Sequence, residues 1–278
     1  MQMAEGIDSE EKKKVDIDAL LESKAPGLKK KLPKFIVSYL KKTIHQDDLN
    51  VIFREDKDKP GNEFTGSNMK RFNWKLKIEG EENLPADGRV IFASNHPLGG
   101  ADGVILLDFL SRRYKTVKAP VNDLLMHVEQ MQNFFIPINK FGGQAKEATI
   151  EINNTYQSDA TILYFPAGMV SRRQKHGIIK DMEWKKTFIT KAVQYQRDIV
   201  PLHFIGRNSN FFYNLAYYRT KLGIKANIEM LYLVDELFRN KNATFVAKIG
   251  KPIPWQTFDK SRSNNEWADF VKDIVYKL

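Results

Sequence analysis

The spacing of apolar positions divides the chain into a helical stretch and an alternating one. Residues 16–21 read as a short helix stopped by Ala25-Pro26-Gly27. In residues 28–44, Leu28, Leu32, Phe35, Ile36, Leu40 and Ile44 recur at steps of three and four, which places them on one helical face. Pro33 is compatible with that helix if it begins near Lys31 or Leu32, because a first turn tolerates proline. From about residue 70 the pattern changes. Residues 72–78, 89–94, 115–119, 134–139, 161–165, 199–205 and 245–248 read as strands. Helical patterns over 103–111, 124–130, 145–157, 184–196 and 266–277 lie between and after them. Such alternation predicts an α/β fold, a single mixed sheet flanked by helices, with an N-terminal basic amphipathic helical segment. The division expected is a helical segment over 1–50 and a catalytic-type domain over 51–278.

Composition narrows the classes. At 278 residues with 42% hydrophobic and 28% charged positions, the chain can bury a large core. There is no cysteine, which removes disulfide frameworks, thiolate metal sites and a cysteine nucleophile. No run approaches the length of a spanning helix, and the first residues, MQMAEGIDSEEKKKVD, have no apolar core of a signal peptide. Lys and Arg number 44 against 34 acids, a net charge of +10. A protein this basic is suited to an anionic partner.

The basic helix shows where part of that charge sits. Lys29, Lys30, Lys31, Lys34, Lys41 and Lys42 fall in it with no acid among them. One reading is a solvated face on a helix whose apolar stripe packs on the main domain. The other is a helix lying on anionic lipid, with Lys30, Lys31, Lys34 and Lys41 at phosphates and Phe35 and Tyr39 dipping inward. No aromatic stacking platform accompanies the charge, so no nucleic-acid partner is expected.

Three loops follow strands, where open α/β sheets place ligand-handling residues. The first runs Asn95-His96-Pro97-Leu98-Gly99-Gly100-Ala101-Asp102. A carboxylate that fixes an imidazole tautomer makes a general base, and Asp102 can do that for His96. Asp102 is equally placed to cap a helix, and His96 to be an ordinary loop histidine. The second loop, Pro166-Ala167-Gly168-Met169-Val170-Ser171-Arg172-Arg173, offers backbone N–H groups and two guanidiniums. Alone it also reads as a surface turn. The third, Ile199-Val200-Pro201-Leu202, is a strand start with no chemistry of its own.

In order, Asn95-His96…Asp102, Phe135-Ile136-Pro137-Ile138-Asn139, Phe165-Pro166-Ala167-Gly168…Ser171-Arg172 and Ile199-Val200-Pro201-Leu202 resemble the four blocks of the glycerolipid acyltransferases. This is the superfamily of glycerol-3-phosphate and lysophosphatidic acid acyltransferases, and the likeness spans residues 74–254. Asn95-His-Pro-Leu-Gly-Gly100 looks most like a branch labelled hemolysin or ornithine/glycine-lipid acyltransferases. The chain departs from the usual pattern twice: five residues separate His96 from Asp102 instead of four, and Ala167 and Met169 stand where Glu and Thr are usual.

The resemblance implies direct transfer of a fatty acyl chain from a thioester of acyl carrier protein or coenzyme A, with no resident cofactor or metal. The acceptor is a hydroxyl or amine of a polar lipid precursor. His96 is then the base and Asp102 its orienting partner. Asn95, Gly99, Gly100, Asn139, Lys140, Pro166, Gly168, Ser171, Arg172 and Arg173 shape the acceptor site, with N–H groups near Gly168 facing the oxyanion. The expected setting is cytoplasmic, peripheral on the inner face of the cytoplasmic membrane. The departures motivate an alternative, a catalytically silent membrane-binding protein of the same fold. The aromatic run Phe211-Phe212-Tyr213…Tyr217-Tyr218 reads mainly as core, with lining of an acyl tunnel as the second reading.

Overall fold

The computed structural model describes residues 14–24, 32–122, 125–138 and 143–278. Lys30 and Lys31 of the basic segment, and Asn139 and Lys140 of the second block, lie outside the described residues. Contacts divide the chain into two units, Met1–Lys57 and Asp58–Leu278.

The first unit is helical: α1 (Ile17–Lys24), α2 (Lys34–Thr43) and α3 (Gln46–Glu55). Pro33 is the N-cap of α2 rather than an interior residue, so its missing N–H costs no helical bond. The unit is tied by side chains of α3. Asn50 exchanges two bonds with the Val15 backbone, and the Gln46 side chain accepts the Ile17 N–H at 2.9 Å. Lys41, one of the cations expected at lipid phosphates, forms an ion pair with Asp18. Lys34, Phe35, Tyr39 and Lys42 share an exposed face of α2, with Phe35 72% exposed.

The second unit runs α4 (Asn62–Arg71), β1 (Lys75–Glu79), β2 (Ile91–Ser94), α5 (Gly100–Arg113), β3 (Val117–Val121), β4 (Phe135–Pro137) and α6 (Gly143–Gln157). It continues with β5 (Thr161–Tyr164), β6 (Arg172–Arg173), β7 (Ile179–Lys180), α7 (Thr187–Tyr195), β8 (Ile199–Ile205) and α8 (Asn210–Lys221). It closes with α9 (Leu233–Arg239), β9 (Thr244–Ile249) and α10 (Asn264–Val275).

Seven strands form one sheet in the order β1-β9-β8-β2-β5-β3-β4, and β6 pairs with β7 in a small hairpin. Strands β8, β2, β5, β3 and β4 are mutually parallel, whereas β9 runs antiparallel to β8 and carries β1 with it. The expected mixed α/β sheet is therefore present. Its centre is apolar on both faces, as a sheet covered by helices requires: Ile91, Phe92, Ala93, Ile162, Leu163, Ile199 and Val200 have no exposed surface. One face packs Trp184 and the α7 residues Phe188, Ile189 and Ala192 against Trp267, Val271 and Val275 of α10. A Ser263–Glu266 capping box starts α10.

The expected helix over 124–130 is absent; short 3₁₀ turns, Leu125–His127 and Glu129–Phe134, occupy the described part of that stretch and beyond. The polar helices α3 and α4, and the later α8 and α9, were not evident from apolar spacing.

Candidate functional site

Strands β2 and β5 are neighbours and parallel, so the loops after both leave the same edge of the sheet. His96 lies two residues beyond β2, and Phe165 directly follows β5. Their rings stack at 4.1 Å, with 29° between the planes. The end of β2 is pinned from its other side. The buried Asn95 amide donates to the Phe204 carbonyl at 2.9 Å and accepts its N–H at 2.7 Å, replacing a ladder pair with β8. Asn95 is thereby a scaffold of the His96 loop, with both ends of its amide engaged by β8.

His96 Nδ1 lies 3.1 Å from Asp102 Oδ2. Asp102 is fully buried, and its carboxylate also accepts the N–H of Leu98 and of Gly103, each at 2.9 Å. An acceptor-only carboxylate in that position accepts a hydrogen bond from Nδ1–H and so fixes the proton on Nδ1, leaving Nε2 as the basic nitrogen. Nε2 makes no hydrogen bond among the described residues. The fifth intervening residue does not separate the pair. Gly99 adopts φ 83°, ψ −87°, and α5 starts immediately at Gly100, bringing Asp102 into its first turn. The helix thus begins three residues before the expected position, and Gly99, not Asp102, is its N-cap. Leu233 and Leu237 of α9 pack over Gly99 and Gly100.

A carboxylate that sequence reasoning missed organises the rest. Asp181 is fully buried, and its Oδ1 accepts the Ser171 hydroxyl at 2.5 Å and the His96 backbone N–H at 3.3 Å. Its Oδ2 accepts the Trp184 indole at 2.9 Å. The Ser171 N–H in turn donates to the His96 carbonyl at 2.8 Å. One acid thus joins the first and third blocks. The imidazole pKa is raised: burial lowers it, but the charge and hydrogen bond of Asp102, helped by Asp181, outweigh burial and the opposing Arg172.

The third block departs from expectation at two groups. The Gly168 N–H donates to the Phe165 carbonyl at 3.0 Å, closing the turn, so it does not face an oxyanion. Arg172 is not an open anion clamp. It is buried, donates to Glu229 Oε1 at 2.9 Å and to the Val170 carbonyl at 2.8 Å, and lies 5.2 Å from the Phe212 ring centre. Burial lowers its pKa, with Glu229 opposing. Arg219 pairs with the same glutamate at 2.7 Å. Arg173 is half-buried, and its Nη2 donates to Asn210 Oδ1 at 3.2 Å. Ala167 is buried in the apolar cluster with Trp184 and Phe188. Pro166 holds the turn by accepting the Lys185 N–H at 3.0 Å.

The core reading of the aromatic run holds for Phe212 and Tyr213, which are fully buried, but Phe211, Tyr217 and Tyr218 are exposed. Among the described residues, no group of three or more His, Asp or Glu is arranged to hold a metal ion. No helix among them is long and apolar enough to cross a membrane.

The family model described as "Acyltransferase" matches residues 19–278. The chain is 54% identical over 265 residues to the lyso-glycine lipid O-acyltransferase of Bacteroides thetaiotaomicron, covering 95% of this chain and 97% of that one. It is 52% identical over 265 residues to the lyso-glycine lipid O-acyltransferase of Phocaeicola vulgatus, covering 95% of each. Among solved structures it is similar to the 1-acyl-sn-glycerophosphate acyltransferase PlsC of Thermotoga maritima, at 16% identity and a TM-score of 0.48 over 77% of both chains.

Proposed function

This chain belongs to the acyltransferase family, and we propose that within it the chain acylates a hydroxyl of a lyso-glycine lipid, with His96 as general base. Transfer of an acyl group to a lipid precursor is the family activity, with an acyl thioester as co-substrate. The observation that carries the finer reading is the His96–Asp102 pair at 3.1 Å with Nε2 unpaired. The O-acyltransferase relatives favour oxygen as acceptor over nitrogen. Chemistry agrees, since an amine near neutral pH must shed a proton before it attacks, whereas a hydroxyl needs only one base.

The acceptor O–H donates to Nε2, and its oxygen attacks the thioester carbonyl. As the carbon–oxygen bond forms, the proton passes to Nε2, and Asp102 stabilises the resulting imidazolium. Collapse of the tetrahedral intermediate breaks the carbon–sulfur bond. The departing thiolate takes the proton back, giving ester and free thiol. Arg173 is the third-block cation available for the carboxylate of a glycine headgroup, because Arg172 is already paired with Glu229. Gly99, Gly100, Pro166, Gly168 and Ser171 shape the loops around the acceptor. Acyl carrier protein and coenzyme A both suit the basic surface as carriers of the acyl group. Lys34, Phe35 and Tyr39 place the first unit on anionic lipid at the inner face of the cytoplasmic membrane.

The test is acyl transfer from palmitoyl-acyl carrier protein and palmitoyl-coenzyme A to lyso-glycine lipid, lyso-ornithine lipid, lysophosphatidate, glycerol 3-phosphate and glycine. Transfer to lyso-glycine lipid is expected, falling roughly 10²–10⁴-fold in His96→Ala. Preference for lysophosphatidate or for a free amine would overturn the acceptor assignment. Unchanged turnover in His96→Ala would overturn the base.

A further inference from the structure

Helix α8 is apolar on two opposite sides. Phe212, Tyr213 and Ala216 face inward, where Phe212 and Tyr213 pack with Val170 beside the third block. On the outside, Phe211, Leu215 and Tyr218 of α8 and its cap residue Leu222 recur at steps of four, three and four, a second stripe in which Leu215 is half-buried and the Phe211 ring rests edge-on against Tyr232. Tyr218 is 57% and Leu222 74% exposed. The following turn adds exposed Ile224 and Leu231. A helix with a second apolar stripe left exposed lacks a partner for that side.

The charge around the stripe indicates which partner. From residue 199 to 228 the sequence contains no Asp or Glu, while Arg207, Lys221 and Lys225 are exposed. Glu229, the next acid, is fully buried between Arg172 and Arg219. The segment's own outer face is therefore apolar and aromatic, bordered by its cations, and residues 199–229 add no exposed carboxylate to it. Tyrosines, lysines and large aliphatics in that arrangement suit the boundary between lipid headgroups and acyl chains.

The segment also borders the catalytic loop. The Asn208 amide donates to the Pro97 carbonyl at 3.3 Å, Leu233 packs over Gly99, and Glu229 holds Arg172. We infer that the outer face of α8 and its following turn form a membrane-contact surface of the catalytic unit, seated on anionic lipid beside His96. This rests on the lipid-acceptor reading: an acyl-chain-bearing acceptor could then reach Nε2 without leaving the bilayer surface.

Because the chain has no cysteine, Leu222→Cys gives a unique attachment point for an environment-sensitive fluorophore. Gln256→Cys, exposed near the amino end of β8 and so at the opposite edge of the sheet, is the control. With vesicles of phosphatidylethanolamine and phosphatidylglycerol, the probe at 222 should shift to a lipid-like emission and be quenched by lipid-borne nitroxide. The probe at 256 should keep its water spectrum. Tyr218→Ser combined with Leu222→Ser should weaken vesicle partitioning about tenfold with the thermal midpoint unchanged.

A chain that pellets with vesicles while the probe at 222 stays water-like overturns the surface, as does a chain that does not bind vesicles. A shift at 222 produced by acyl carrier protein and not by vesicles overturns it too, assigning the face to the carrier. Vesicle contact is read without substrate and with His96→Ala as well, so its failure is distinguishable from failure of the acceptor assignment.

Discussion

At the scale of single residues, the chemistry depends on how two buried acids share His96. Asp102 takes the ring and Asp181 the backbone N–H, and both charges favour the imidazolium against burial and the positive Arg172. A base whose pKa is raised above the usual 6.5 must lose its proton before it can act, so activity should climb with pH and level off above that raised value. The same shift links protonation to stability: the contribution is complete below about 6.5 and is lost as pH rises through the folded-state value. Asp181→Asn removes one favouring charge while leaving the Asp102 contact in place. Its kcat/KM profile should therefore move its acid limb to lower pH, and its thermal midpoint should fall because the Ser171, His96 and Trp184 donors meet a weaker acceptor. An acid limb that stays in place would reduce Asp181 to a packing role. Asp181 was invisible in the sequence because it meets His96 across 85 positions, whereas His96 and Asp102 are six apart. Glu229 was missed similarly, reaching Arg172 from 57 positions away.

At the scale of elements, the loop between β2 and α5 shows what the additional residue demands. With five residues between His96 and Asp102, the chain turns at Gly99 with a positive φ of 83°, which L side chains rarely adopt. A Cβ there would also come within 3.1 Å of a Leu233 methyl. Gly100 is already helical, and a Cβ on it would meet Leu237 at 3.4 Å, an ordinary contact. Gly99→Ala should therefore lower stability by about 1–2 kcal/mol or more and displace Asp102, cutting activity. Gly100→Ala should leave stability near its original value and cost less activity than Gly99→Ala. Equal effects in paired melting and turnover measurements would show that the φ at 99 does not hold the pair together. Elements were legible where one period dominated: the buried runs of β2, β5 and β8 could be read directly as strands. They were illegible where burial broke the period. Helix α8 is apolar on two sides and so has no single stripe, the 3₁₀ turns over 125–134 repeat too briefly, and β6 and β7 are two residues each. Pro33 pointed to a helix start close to the observed one, whereas the start of α5 at Gly100 was read three residues too late.

At the scale of the whole molecule, the net charge of +10 sits alongside two exposed aromatic and aliphatic faces, one in each unit. Phe35 and Tyr39 share theirs with Lys34 and Lys42, while Tyr218 and Leu222 lie near Lys221 and Lys225. Charge and apolar area respond differently to salt, which separates their contributions. Raising ionic strength from about 0.1 M to about 1 M shortens the screening length from about 10 Å to about 3 Å. Cations near an anionic surface each contribute about 1 kcal/mol before screening, whereas burial of a side chain among acyl chains is not weakened. Partitioning onto phosphatidylglycerol-containing vesicles should therefore fall at least about tenfold over that range without disappearing. Turnover of an acceptor dispersed in neutral detergent should change by less than about threefold, because the His96–Asp102 pair is shielded from bulk ions by burial. Sedimentation and turnover measured on the same salt series check both. If vesicle binding vanished at high salt, the exposed aromatics would contribute no insertion. If it were indifferent to salt, the lysines would be ordinary solvated surface, and the basic balance of the chain would need another anionic partner, with acyl carrier protein the first to test.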